Sequence, residues 1–108
     1  MTQILSRSQR NIRVNILNDD NEPCGLPVTF VGREAYTLRK LLDAGDRGIS
    51  SLDHVGIRLA HHCMKIRRAG IVIETVKTPQ RGEYRGWYGI YKLRSRLSVL
   101  EDNTRAAA

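Results

Sequence analysis

The hydrophobic period of this chain changes at one residue. Before Gly70, Leu59, Cys63 and Ile66 recur at i, i+4 and i+7, the spacing that gathers apolar side chains on one face of a helix. After it, Ile71, Ile73 and Thr75 alternate with Val72, Glu74 and Val76 in a β-branched run of period two, which predicts a strand. A helix over 58–69 ending at a glycine and feeding directly into a strand is a narrow constraint. It excludes all-α and all-β architectures and requires an α+β fold in which the two elements share a core.

The neighbouring segments extend the pattern. Beyond the strand, Thr78, Pro79, Gln80, Arg81, Gly82, Glu83, Tyr84, Arg85 and Gly86 form a polar, glycine-rich turn region. Trp87, Tyr88, Ile90, Tyr91 and Leu93 then supply a returning strand, so the pair predicts a hairpin with a basic tip. Upstream, Ala35, Leu38, Leu41 and Leu42 repeat at three and four residues, predicting a helix from 33 to 44 between Gly32 and the stop at Gly45. Ser50 and Asp53 resemble a capping pair for a short helix over 51–55, and Asp46 to Ile49 leave room only for a turn and an extended link. Near the start, Ile12, Val14 and Ile16 alternate, the turn-forming stretch 18–23 follows, and Val28 and Phe30 alternate again, which predicts an extra N-terminal β-hairpin. With 108 residues there is one core. The expected organisation is a flexible arm over 1–10, one domain over 11–95, and a tail over 96–108 where the periodicity fades.

Charge is distributed unevenly. The net formal charge is +7, and residues 58–94 carry all of it: Arg58, Lys65, Arg67, Arg68, Lys77, Arg81, Arg85, Lys92 and Arg94 stand against only Glu74 and Glu83. The remainder of the chain is neutral. Such a concentration predicts a surface facing a polyanion. On the helix over 58–69, Arg58, His61, His62, Lys65 and Arg68 fall at i, i+3, i+4, i+7 and i+10 and are expected to form one cationic stripe opposite the apolar face.

Other chemistries find less support. His54, His61, His62 and Cys63 are of metal-ligating type, but adjacent His61 and His62 point about 100° apart on a helix and Cys63 belongs to the apolar face, so no metal and no cofactor is expected. There is no Gly-x-Ser-x-Gly, phosphate-loop or paired-carboxylate signature, so no enzyme and no small-molecule ligand is expected. Cys24 and Cys63 are expected as thiols, in keeping with a cytoplasmic, nucleoid-associated address. No signal segment and no membrane-spanning run is visible. Trp87, Tyr88 and Tyr91 have two readings, as core-filling strand aromatics or as platforms for unpaired bases.

The stretch Met64-Lys65-Ile66-Arg67-Arg68-Ala69-Gly70-Ile71-Val72-Ile73-Glu74-Thr75-Val76, followed by Tyr91-Lys92-Leu93, resembles the recognition helix, wing strand and returning strand of bacterial winged helix-turn-helix repressors. The N-terminal domain of biotin ligase repressors is the nearest named analogue. Residues 32–48 are similar to the first helix of small stand-alone bacterial or phage winged-helix proteins, and the likeness covers about 28–94. No catalytic domain is expected, and the junction Val55-Gly56-Ile57 departs from the pattern. The resemblance implies three helices with a C-terminal β-hairpin wing, and sequence-specific binding of double-stranded DNA by a transcriptional regulator. It places the helix over 58–69 in the major groove and the wing over 78–86 on the backbone or in the minor groove. Arg58, His61, His62 and Lys65 are then the candidates for base contact, Arg58 equally for phosphate, while Arg68 and Lys77 hold the backbone and Arg81 and Arg85 meet phosphates or a narrow minor groove. A homodimer would imply a two-fold site, and the rival implication of the same scaffold is a protein-interaction module.

Overall fold

A computed structural model describes residues 10–52, 58–80 and 86–104. Two three-stranded sheets and two α-helices share one core. The first sheet holds β1 (Asn11–Leu17), β2 (Val28–Val31) and β6 (Arg96–Asp102) in the order β2-β1-β6. The second holds β3 (Ile49–Ser50), β4 (Ile73–Gln80) and β5 (Gly86–Leu93) in the order β3-β5-β4. Helix α1 (Gly32–Ala44) packs against both sheets and against α2 (Leu59–Arg68). The expected alternations and helical spacings therefore land in the elements they predicted. Ile12, Val14 and Phe30 from the first sheet, Ala35, Leu38 and Leu41 from α1, Leu59, Cys63 and Ile66 from α2, and Ile49, Ile73 and Tyr91 from the second sheet are buried together.

Local chemistry sets the joints. Asn18 Oδ1 accepts hydrogen bonds from the backbone N–H groups of Asp20 (2.9 Å) and Glu22 (3.0 Å), and Asn21 takes a left-handed φ of 61°, so the turn after β1 closes on its own side chains. Gly48, after a 3-10 turn at Gly45–Arg47, has φ 72°, and a Cβ there would lie 2.7 Å from the Tyr91 carbonyl oxygen. Only glycine lets the chain pass this close to β5 and enter β3.

Two expectations are corrected. Among the described residues there are two α-helices and six strands rather than three helices. Ser51 and Leu52, the start of the helix expected over 51–55, form a turn, in which the Leu52 N–H donates to Ser50 Oγ at 3.1 Å; residues 53–55 lie outside the described residues, as does the junction at 55–57. The wing is also not C-terminal. Residues 96–102, expected as the start of a tail, form β6, which pairs antiparallel with β1 from Ile12 to Leu17. The register slips between Arg13 and Val14, leaving Leu100 without a partner across the sheet. That bulge breaks the alternation of Leu97, Val99 and Leu100, which is why period two is hidden in this stretch. Arg39 of α1 ties the strand down through Asp102 (2.9 Å) and also pairs with Asp43 (2.7 Å). Burial works against the Asp102 charge, but hydrogen bonds from Thr104 and Arg39 hold its pKa below the ordinary value. No helix among the described residues is long and apolar enough to cross a membrane.

Candidate nucleic-acid interface

Helix α2 forms because its apolar residues fall one helical repeat apart, and it ends where the backbone can no longer continue. Ala69 is still helical, and Gly70 turns to φ 103° while its N–H reaches the Arg67 carbonyl at 3.0 Å. Lys65, Arg67 and Arg68 crowd the last turn, where positive charge complements the helix dipole, and no carboxylate stands in the first turn.

The expected stripe is divided in the fold. Arg58 lies exposed at the start of the helix, and Arg68 is exposed near its end. His61 is half-buried, packed edge-on against the His62 ring with 5.4 Å between centroids. His62 instead leans towards α1, where its Nδ1 lies 3.4 Å from Glu34 Oε1 and its side chain is only 13% exposed. Lys65 Nζ reaches the same carboxylate at 3.4 Å, but its side chain remains 49% exposed. Burial opposes the charge on Glu34; its own backbone amide, His62 and Lys65 outweigh that and hold its pKa below the ordinary carboxylate value. At about 100° per residue, the outward arc of α2 therefore runs through Ala60, His61, Met64, Lys65 and Arg68, with His62 at its inner rim. Ala60 and Met64 carry the helical spacing that would have placed them there.

The wing hairpin is joined to this helix by Arg67, whose role the sequence does not announce. Its guanidinium donates to the Ile73 carbonyl through Nε (3.0 Å) and Nη2 (2.6 Å), and Nη2 also donates to Thr75 Oγ1 at 2.6 Å. The end of α2 and the beginning of β4 are thus fixed to one another. Lys77 is exposed on β4, on the same face as Thr75. Arg81 and Arg85 lie outside the described residues.

Not all of the clustered charge shares this surface. Glu74 and Lys92 are cross-strand partners on the opposite face of the hairpin. Arg94 is engaged by Glu74 (2.6 Å) and Asp46 (3.2 Å), and the Glu74 hydrogen bond raises its pKa. Among the aromatics, Tyr91 is in the core at 9% exposure and Tyr88 is half-buried, whereas Trp87 is 69% exposed. The core-filling reading holds for Tyr91 and fails for Trp87. Cys63 is buried, its thiol pushed up to about 11 by desolvation. Among the described residues no three His, Cys, Asp or Glu side chains come together as a metal site.

The winged helix domain family model matches residues 27–103, well over half of the chain. No curated protein and no solved structure matches it. The matched segment begins just before β2 and ends just after β6, so it takes in both helices, the wing hairpin and the strand that follows. With a helix feeding a hairpin on a shared core, and a family match spanning both, the chain belongs to the winged helix domain family, whose fold is in general one of DNA binding.

Proposed function

We propose that this protein binds double-stranded DNA sequence-specifically as a transcriptional regulator, with α2 in the major groove and the wing hairpin against the backbone or the minor groove. The observation that carries the reading is the outward arc of α2: His61, Lys65 and Arg68, led by Arg58, project from a helix that has no acidic residue along its length. Arg67 holds that helix at a set angle to the exposed Lys77 of the wing, so the two form one cationic surface. Arg58 and His61, in the first turn, are placed to meet base edges, where an arginine fork facing guanine gives about 1–3 kcal/mol of discrimination. Lys65, Arg68 and Lys77 meet phosphates, joined by Arg81 and Arg85 of the wing loop. His62, drawn to Glu34, acts by positioning the helix on α1 rather than by touching DNA. Two copies on a two-fold site would set half-sites about one helical turn apart.

Gel shift with random duplex, single strand and a heparin competitor tests the reading. Neutralising about five phosphates gives a log-log salt slope of roughly −4 to −5. The double variant Arg58→Ala with Arg68→Ala is expected to lose specific binding and keep its thermal unfolding midpoint, because both side chains are exposed. Absence of any duplex shift at low salt refutes the reading and favours the protein-interaction module.

A further inference from the structure

Trp87 is the only tryptophan of the chain. A tryptophan can bury some 150–250 Å² of surface, yet this one is left 69% exposed, while Tyr91 on the same strand is in the core. Trp87, Gly89 and Tyr91 alternate along β5 and so share one face. Their cross-strand partners on β4 are Pro79, Lys77 and Thr75. A groove of about 430 Å³ lies here, lined by Thr75, Lys77, Trp87, Tyr88, Gly89 and Tyr91. Its floor is glycine backbone: a Cβ at Gly89 would lie 3.4 Å from both the Tyr91 ring and Thr75 Cγ2, so that ring leans over the glycine and a side chain there would fill the groove. Among the described residues the lining is thus aromatic, with one cation, Lys77, and the hydroxyls of Thr75, Tyr88 and Tyr91. The nearest strand carboxylate, Glu74, is on the opposite face.

From this chemistry we infer that the wing face stacks an unpaired nucleobase on Trp87, with Lys77 taking the adjoining phosphate. The occupant must offer a planar face and negative charge. A nucleotide does both, whereas a cationic ligand would meet Lys77 without any counter-charge in the lining. A paired base hides its faces within the duplex stack, so the base must come from a single-stranded segment. The inference rests on the duplex reading above and deepens it. If α2 grips duplex while the hairpin, fixed through Arg67, carries the stacking face, the preferred substrate is a duplex with a single-stranded extension.

The test compares a blunt duplex, the same duplex with an extension of about 10 nucleotides, and the single strand alone. Binding is read by anisotropy of the labelled DNA and by the emission of Trp87, which has no other tryptophan to mask it. The extension is expected to tighten binding about tenfold and to quench the emission. Trp87→Ala is expected to lower affinity for the extended duplex to the blunt value, with blunt binding and the unfolding midpoint unchanged, while Trp87→Phe keeps most of the preference. Equal affinity for the two duplexes, equal loss on both in Trp87→Ala, or quenching by phosphatidylserine vesicles but not by DNA overturns the inference. Failure of both duplexes to bind while the single strand still quenches Trp87 sinks the duplex reading and leaves base stacking standing; duplex binding without a preference for the extension does the reverse.

Discussion

The imidazole of His61 is placed where taking up a proton is unfavourable. Desolvation lowers its pKa below 6.5, and Lys65, Arg58 and His62 lower it further, against a smaller opposing pull from Glu34. The sign follows from linkage: between the folded and unfolded pKa values the unfolded chain holds more protons, so stability falls as pH drops through 6.5. The negative potential of DNA around a His61 that faces base edges acts in the opposite sense and favours the imidazolium. DNA affinity is therefore expected to rise as pH falls from about 8 to about 6, and to lose that dependence in His61→Gln. Titration by anisotropy across this range checks it, and a flat profile in the parent chain refutes it. The two thiols separate just as clearly. Cys63 is buried with its pKa pushed up to about 11, whereas Cys24 is exposed. An alkylating reagent at neutral pH is expected to modify one thiol in the native protein and the second only after denaturation, as mass spectrometry would count. At this scale half the account was legible: the spacing put Cys63 inside, but the diversion of His62 to Glu34 depends on where α1 docks, which no periodicity within α2 encodes.

Among the elements, the proposed interface depends most on the joint between α2 and β4, which rests on the three hydrogen bonds of Arg67. Their loss in Arg67→Ala is expected to cost about 1 kcal/mol, since the side chain is exposed, and to weaken DNA binding without altering base preference. Arg67→Lys is not expected to restore it, because a single ammonium cannot reproduce the planar fork that meets both Ile73 and Thr75. Urea unfolding together with binding to a site and its single-base variants measures the two effects. If the variant reads the same bases with undiminished affinity, the joint is irrelevant to binding. Most elements were legible because period and burial agree: β1, β2, α1, α2, β4 and β5 each present an apolar series to the core. The last strand was not. Its bulge opposite Arg13 and Val14 offsets Leu100 from the series, and Val99 and Leu100 remain 40% and 48% exposed, so neither alternation nor burial marked it. Trp87 was ambiguous for a related reason, since strand aromatics read alike whether they lie over the core or beyond it.

For the whole molecule, the first sheet brings residues 96–102 into the domain beside β1. A chain stopped after Ser95 removes the strand that pairs with β1 from Ile12 to Leu17 and the Arg39–Asp102 ion pair. Total stabilities of small domains run only about 5–15 kcal/mol, so this truncation is expected to abolish cooperative unfolding. A circular dichroism melt that keeps the parent's midpoint would show β6 to be dispensable. The charge asymmetry belongs to this scale too. Of the described charges in residues 58–94, Arg58, Lys65, Arg68 and Lys77 are exposed while Arg94 is held in ion pairs with Glu74 and Asp46, so net charge overstates what any polyanion meets.

The pairing of β1 with β6 bears on how the protein is made. Asn103 donates its side-chain amide to Asn11 Oδ1, 92 positions away in sequence, and its backbone N–H to the Asn11 carbonyl. A ribosome releases the earlier strand long before the later one exists, leaving Ile12, Val14 and Ile16 in a sheet with one side open until translation reaches the end of the domain. Folding of the nascent domain therefore waits for its last strand, and contacts of such long range make the closing step slow.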